Sequence, residues 1–143
     1  MAKFDIRSFY LSYIDALNSR AFDELDSFVA DEIAFGTQVY PRDAVAGSLA
    51  GIIEAVPDFR WAVQEILIDG DRLAVRLLNS GTPVKEWNGI TPTGASFQIA
   101  EHAMYRVADG RFTEMMNLHD YADLARQLRT SRVEPDAEFP RRA

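Results

Sequence analysis

Residues 101–128 have the sequence EHAMYRVADGRFTEMMNLHDYADLARQL, and the pattern of strand, tight turn, strand and helix within it decides the rest of the fold. Asp109-Gly110 lies between two runs that are rich in apolar residues. This arrangement is a strong hairpin signal, because a two-residue turn requires positive φ angles. A helix is predicted to begin at Tyr121, with leucines one turn apart on one side.

A two-residue turn fixes the expected pairing between the two strands of this hairpin. Ala108 should lie opposite Arg111, which places Glu101 opposite Leu118. Because strand side chains alternate between faces, one face is predicted to carry Glu101, Phe112, Glu114, Met116, Leu118 and Asp120. The opposite face is predicted to carry His102, Met104, Met115, Asn117 and His119. A one-residue bulge would reverse part of this assignment.

Length and composition indicate one globular domain. The chain has 143 residues, a formal net charge of −7 and no cysteine. The acidic balance argues against nucleic acid or an anionic membrane as the partner, and the missing cysteines exclude disulfides and thiolate chemistry. The sequence lacks a run of the roughly 18 apolar residues that a membrane span requires. The N-terminus lacks the apolar segment of a signal peptide, so a cytoplasmic protein is expected.

The N-terminal part of the chain is predicted to be mainly helical. Apolar residues recur at three- and four-residue steps over residues 4–17, and a short second helix is expected from Phe22. A short strand is expected at residues 33–35. A further helix should begin at Pro41 and end before Pro57, because proline suits a helix start and disfavours helical geometry in the residue before it.

From Asp58 onward the hydrophobic period changes to two, which predicts long strands. The phase of this alternation slips near Glu65, which indicates a bulge in a bent strand. A second strand should follow the turn at residues 69–71, and a loop rich in Gly and Pro precedes the hairpin. Helices followed by bent antiparallel strands predict the α+β class. We expect a single domain over residues 1–129 and an extended or disordered tail over residues 130–143.

Several short sequence elements carry a family resemblance. They are Arg72-Leu73-Ala74-Val75-Arg76, Ser80-Gly81-Thr82, Gly89-Ile90-Thr91-Pro92-Thr93-Gly94, the hairpin around Asp109-Gly110, Asp120 and Gln127-Leu128. Over roughly residues 5–128 the chain resembles the SnoaL-like polyketide or ester cyclases of the nuclear-transport-factor-2-like (NTF2-like) superfamily. The resemblance implies a cone-shaped NTF2-like fold, a cystatin-like α+β barrel whose N-terminal helices pack in a strongly bent, mostly antiparallel sheet. It also implies a hydrophobic small-molecule substrate, no cofactor and a homodimer joined through the sheet.

The resemblance places Asp120 at the position of the family's acid/base aspartate. Such cyclases close a ring in a polyketide ester by intramolecular aldol addition, without a metal or a Schiff base. The proton that they remove lies between two carbonyls, so one carboxylate in an apolar cavity can take it. Burial raises the pKa of such a carboxylate and makes it a stronger base. Asp120 has a second interpretation as the N-cap of the last helix, with Asp123 completing the cap.

Glu101 and His102 are the other candidate catalytic residues. Glu101 is predicted on the same face as Asp120, and the alternative is that it pairs with Arg76. His102 and His119 are expected together at the surface or in a sheet-to-sheet interface. His102 would join the pocket only if the register slips by one residue. No metal site is expected, because no third ligand is evident near the two histidines.

Eight further side chains are candidates to line a substrate pocket. They are Tyr13, Phe35, Tyr40, Trp61, Arg76, Trp87, Met116 and Leu118. The aromatic residues among them suit a flat aromatic substrate, although each one alone is more typical of plain core.

Three alternatives to a cyclase remain open. A non-catalytic binding or dimerisation module of the same fold would hold a hydrophobic molecule or fill its pocket with its own side chains. An epoxide hydrolase of the limonene-epoxide type would need an Asp-Arg-Asp arrangement, but Leu78 stands two residues after Arg76, where an aspartate is required. A steroid-isomerase-like enzyme would need a tyrosine and a protonated acid at one substrate oxygen.

Overall fold

The computed structural model describes residues 3–129. In chain order its elements are α1 (Ile6–Asn18), a short 3-10 helix (Phe22–Ser27), β1 (Val29–Phe35), β2 (Gln38–Pro41), α2 (Arg42–Ala55), β3 (Arg60–Asp69), β4 (Arg72–Gly81), β5 (Phe97–Ala108), β6 (Arg111–His119) and α3 (Tyr121–Leu128). Helices precede the long strands, which confirms the predicted α+β class. The tail expected at residues 130–143 lies outside the described residues.

Helix α1 contributes one buried side to the core. The Asp5 carboxylate caps its first turn by accepting hydrogen bonds from the backbone N–H groups of Arg7 and Ser8, at 3.1 and 3.5 Å. The buried side consists of Tyr10, Tyr13, Ile14 and Leu17. This three- and four-residue spacing is the helical period that the sequence predicts. As a result, α1 brings two tyrosines into the interior of the protein.

Helix α2 begins directly after Pro41 and ends before Pro57, as the two prolines predict. Its buried residues Val45, Leu49 and Ala55 belong to the same core as α1. No helix within residues 3–129 has both the length and the apolar character needed to cross a membrane.

Six strands form one curled sheet in the order β2-β1-β6-β5-β4-β3. Neighbouring strands are antiparallel except β1 and β6, which run parallel, so the sheet is mostly antiparallel as expected. The sequence does not predict β2, because its four residues are all exposed and therefore show no hydrophobic alternation.

One bulge lies in β3. The pairing of β3 with β4 shifts between Val63 and Glu65, where the slip in hydrophobic phase predicts it.

A close approach between two segments lies where β4 ends at Gly81. A Cβ atom on Gly81 would clash with Cγ1 of Val56, so only glycine fits this position without movement of the core.

Another bulge lies in β6 at Thr113, and it makes the predicted hairpin register wrong beyond the turn. Phe112 and Glu114 pair with consecutive residues of β5, so Thr113 is the extra residue. Glu101 consequently lies opposite His119. The inner face of β6 carries Phe112, Met115, Asn117 and His119, and the outer face carries Met116 and Leu118.

Candidate active site

A cavity of about 460 Å³ lies between α1, α2 and the inner face of the sheet. Its mainly apolar walls include Ile14, Leu17, Leu49, Ile52, Trp61 and Leu77. Polar groups reach it from the sheet, which contributes Glu101, Tyr105, Asn117 and His119, and from α1, which contributes Tyr10 and Tyr13. A cavity of this size and composition suits a small hydrophobic molecule that carries a few polar atoms.

Glu101 is the central polar group of the cavity. It lies on β5 and is only 3% exposed. Its Oε1 accepts a hydrogen bond of 3.0 Å from Nδ2 of Asn79 on β4, and its Oε2 accepts one of 2.9 Å from Nδ2 of Asn117 on β6. The Nε2 atom of His119 lies 3.5 Å from Oε1, which is an ion-pair distance and longer than an ordinary hydrogen bond. Three neighbouring strands thus hold one carboxylate.

The surroundings of Glu101 keep it ionised. Burial raises the pKa of Glu101, but the neighbouring His119 and the two asparagine amides lower it, and the resulting pKa lies below the usual glutamate value. A buried carboxylate in an apolar cavity would ordinarily take up a proton. The amide donors and the histidine therefore maintain a negative charge at a place where an isolated carboxyl group would be neutral.

His119 connects this buried carboxylate with α3. Its side chain is 23% exposed, and its Nδ1 atom lies 3.3 Å from the hydroxyl of Tyr121. The two rings stack with centroids 5.3 Å apart. One ring nitrogen is therefore directed at Glu101 and the other at a half-exposed tyrosine, so the orientation of the imidazole is fixed from both sides.

The three tyrosines form the second polar group of the cavity. The hydroxyls of Tyr10 and Tyr105 lie 3.2 Å apart, and all three rings are buried. Burial raises the pKa of each phenol above its ordinary value, and the charge of Glu101 raises each further. The three phenols therefore stay protonated and can donate hydrogen bonds.

The structure brings some of the predicted site residues to the cavity. Glu101 lines it together with the predicted pocket residues Tyr13, Phe35, Tyr40 and Trp61. Phe35 and Tyr40 pack edge-to-face with centroids 5.6 Å apart. Because Tyr40 is 41% exposed, this pair lies where the cavity meets the surface.

Other predicted residues lie on the outer face of the sheet, so their assignment to the cavity is corrected. His102, Met116, Leu118 and Arg76 line a shallow groove there. Arg76 forms an ion pair with Glu65 at 2.9 Å and not with Glu101. The bulge in β6 places Met116 and Leu118 on this face, whereas His102 lies there because it alternates with the inward-facing Glu101 along β5, and no register slip brings it to the cavity.

Trp87 also lies away from the cavity lining. It belongs to the loop between β4 and β5, where it stacks on Phe97 with centroids 5.3 Å apart. Its backbone exchanges two hydrogen bonds with Ile90, each 3.0 Å long. Trp87 therefore closes a small hairpin-like turn over the core.

Asp120 is exposed and does not line the cavity. Its carboxylate accepts a hydrogen bond of 3.0 Å from the backbone N–H of Asp123 and so caps α3. This is the contact that the N-cap interpretation predicts, and the position of Asp120 follows the outward phase of Met116 and Leu118 along β6.

The simple alternation of the sequence predicts His119 and Asn117 on the face away from the pocket, and it gives no indication of Asn79. One feature of the sequence does indicate the positions of Asn117 and His119. Phe112 and Met115 are both large apolar residues and are spaced by three, which is incompatible with simple strand alternation if both are buried. A bulge between them restores the alternation and moves Asn117 and His119 to the inner face.

Within residues 3–129, the structure contains no group of three or more His, Cys, Asp or Glu side chains placed to hold a metal ion. The polar groups of the cavity are one carboxylate, one imidazole, amides and phenols. This set can accept, donate and hold protons beside an apolar ligand.

A family model and the solved structures of known proteins indicate the same family. The family model described as SnoaL-like polyketide cyclase matches residues 7–128. No curated protein matches the chain. A SnoaL-like polyketide cyclase from Agrobacterium tumefaciens is 28% identical, with a TM-score of 0.80 over 89% of this chain and 98% of that one. IdmH from Streptomyces antibioticus is 26% identical, with a TM-score of 0.75 over 85% and 96% of the two chains. TsrD from Streptomyces laurentii, at 19% identity and a TM-score of 0.79 over 89% and 96%, shares the fold.

Proposed function

The chain belongs to the SnoaL-like polyketide cyclase family, and from this premise we propose that it catalyses acid–base chemistry on a hydrophobic, enolisable carbonyl compound. The reaction is an intramolecular aldol-type ring closure. The observation that carries the proposal is the ionised, buried carboxylate of Glu101 in an apolar cavity. The cavity is open and not filled by its own side chains, which favours an enzyme over a plugged binding module.

Glu101 is the proposed proton acceptor. Each of its oxygens receives one amide hydrogen bond, and Oε1 also has His119 beside it, so Oε2 keeps a lone pair for the substrate. Removal of a proton from the carbon between two carbonyls gives an enolate, whose carbon then attacks a second carbonyl of the same molecule. The new alkoxide takes the proton back from Glu101, so the carboxylate is regenerated.

His119, Asn79 and Asn117 are the proposed positioning residues. The two amides fix the plane of the Glu101 carboxylate, and His119 favours its ionised form. An Arg-dependent epoxide hydrolase receives no support, because Arg76 is paired with Glu65 on the opposite side of the sheet.

Deuterium exchange tests the proposal without knowledge of the natural substrate. The probe is 1-phenylbutane-1,3-dione in deuterated buffer, and NMR follows exchange at its central carbon above the buffer rate. General base catalysis contributes about a hundredfold or more, so Glu101→Gln should lose the enzymatic part of the exchange by about this factor. Asp120→Asn is the matched control and should exchange at nearly the wild-type rate. A loss in Asp120→Asn with full exchange in Glu101→Gln would overturn the assignment in favour of Asp120.

We also propose that the outer face of the sheet joins a second copy of the chain. Leu118 and Leu67 on this face are 67% and 61% exposed, and the oppositely charged Arg76 and Glu65 border the same groove. A two-fold interface requires a surface that complements itself, and apolar residues with charges of both signs meet this requirement. Light scattering after size exclusion should give a dimer for the wild type and a monomer for Leu118→Glu. Val84→Glu, at an exposed apolar position in another part of the chain, should remain dimeric.

A further inference from the structure

Three buried tyrosines lie close together in the lining of the cavity. Tyr10 and Tyr13 lie on the buried side of α1, and Tyr105 lies on β5, four residues beyond Glu101 on the same inner face. The ring centroids of Tyr10 and Tyr13 are 6.0 Å apart, and those of Tyr13 and Tyr105 are 6.5 Å apart. Their exposed fractions are 0%, 4% and 5% for Tyr10, Tyr13 and Tyr105. The phenols thus form one cluster, which we call the tyrosine cluster.

The tyrosine cluster leaves hydroxyl protons free to be donated to an acceptor outside it. Tyr10 and Tyr105 share one hydrogen bond of 3.2 Å, and whichever hydroxyl donates, the other keeps its own proton for a further acceptor. The Tyr13 hydroxyl makes no hydrogen bond to any residue between 3 and 129, although its ring is 96% buried and lines the cavity. Because Tyr13 lines the cavity and its hydroxyl proton has no acceptor among these residues, the cluster fits a ligand that brings an oxygen acceptor to this place.

Glu101 and the tyrosine cluster have complementary roles toward such a ligand. Burial and the nearby charge of Glu101 raise the pKa of Tyr13, so it remains a donor. The pKa of Glu101 is lowered, so it remains an acceptor but is a weak base. A weak base removes a carbon-bound proton efficiently only when the developing enolate oxygen is stabilised by donors that are already in position.

We propose that Tyr13, supported by the hydrogen-bonded Tyr10–Tyr105 pair, binds the carbonyl oxygen of the substrate and donates to it as it becomes an enolate oxygen. The inference rests on the proposed function of Glu101. In the step, the carbon-bound proton moves to Glu101, the electron pair of the C–H bond forms the enolate, and the negative charge moves to the oxygen. The phenolic proton of Tyr13 stays on Tyr13 and is shared in a hydrogen bond.

A ketone and its oxygen-free counterpart test this site. The probes are 2-acetylnaphthalene, whose only polar atom is a carbonyl oxygen, and 2-ethylnaphthalene, which has nearly the same shape. Loss of one good hydrogen bond corresponds to about tenfold in affinity, so Tyr13→Phe should bind the ketone about tenfold more weakly and the hydrocarbon as well as the wild type does.

The carbonyl stretch of the bound ketone gives a second readout. Hydrogen-bond donors lower the frequency of this stretch, so it should be lower in the wild type than in an apolar solvent and should rise in Tyr13→Phe. Binding of 2-ethylnaphthalene verifies that the variant has kept its cavity. The inference is overturned if Tyr13→Phe binds the ketone as tightly as the wild type. It is also overturned if the wild-type stretch equals that in the apolar solvent, and this measurement needs no variant.

The outcomes separate this inference from the proposed function. Retained ketone binding in Tyr13→Phe, combined with lost deuterium exchange in Glu101→Gln, overturns the tyrosine site and supports the role of Glu101. Weakened ketone binding in Tyr13→Phe, combined with full exchange in Glu101→Gln, supports the tyrosine site as a carbonyl-binding site and overturns Glu101 as the base.

Discussion

Glutamate and histidine side chains have different environments on the two faces of the sheet. On the inner face, Glu101 is 3% exposed and His119 lies 3.5 Å away, with two amides completing the contacts of the carboxylate. On the outer face, Glu65 and Arg76 form an ion pair whose side chains are about half exposed, and His102 lies beside them in the groove. A charge on the inner face requires several fixed partners, whereas solvent already stabilises a charge on the outer face. The face on which a side chain lies therefore decides its chemistry more than its identity does.

Two adjacent methionines offer the largest expected contrast between the faces. Met115 is 4% exposed in the core, and Met116 is 44% exposed on the outer face. Removal of a buried methionine side chain costs about 2–5 kcal/mol of unfolding free energy, so Met115→Ala should lose this much. Met116→Ala should lose less than about 1 kcal/mol. Chemical denaturation of both variants under one set of conditions measures the difference, and equal losses would contradict the observed register of β6.

Glycine-to-alanine changes should have opposite signs in two parts of the molecule. In Gly81→Ala the new methyl would clash with the buried Val56 side chain, so overpacking should destabilise the protein by about 1–3 kcal/mol. Gly47 lies within α2, and a methyl group added there would meet no other side chain within 4 Å. Gly47→Ala should therefore stabilise the protein by about 0.5–1 kcal/mol. Thermal or urea unfolding measures both, and a stabilising Gly81→Ala would show that the β4 end is not closely packed.

The two histidines should differ in their effect on the titration of Glu101. His119 lowers the pKa of Glu101 while burial raises it, so His119→Gln should move this pKa upward. His102→Gln is the matched control on the outer face and should leave the pKa of Glu101 in place. Carboxyl-resolved NMR titration, with Glu101→Gln to identify the signal, measures both shifts. If the pKa of Glu101 shifted equally in the two variants, the sheet would not separate a histidine on its outer face from the buried carboxylate.

This titration also predicts how the protein depends on pH. The folded pKa of Glu101 lies below its usual value, which is the value expected in the unfolded chain. Its contribution to stability is therefore fully present above the unfolded pKa and is lost as the pH falls through the folded pKa. The enzymatic exchange of the diketone probe should disappear over the same acidic range, because a protonated Glu101 cannot accept the substrate proton.

The sequence predicts the architecture better than the site, and the reason is physical. The Asp109-Gly110 turn, the bulge near Glu65 and the helix between Pro41 and Pro57 all arise from local backbone constraints, and all three are confirmed. Local constraints of this kind are visible in a single sequence.

The site depends on a non-local quantity, which is the register between β5 and β6. One extra residue, Thr113, reverses the face that His119 occupies relative to Glu101. Tyr13 and Trp61 could be selected for the cavity because their own helix and strand determine their direction. Asn79 contacts Glu101 from a third strand, and nothing in its own segment indicates this contact.

The smallest expected effect is that of replacing Arg76. This change tests most directly whether a charge on the outer face of the sheet influences the buried carboxylate on the inner face. Arg76 and Glu65 are 48% and 52% exposed, so solvent screens their ion pair and Arg76→Met should cost less than about 1 kcal/mol. Because Arg76 points away from the cavity, the variant should leave the NMR titration of Glu101 and the exchange of the diketone probe unchanged. A shifted pKa of Glu101 in Arg76→Met would mean that a charge on the outer face reaches the buried carboxylate through the sheet. The amides of Asn79 and Asn117 make this unexpected, because fixed donors at about 3 Å outweigh a solvated charge on the far side of a strand.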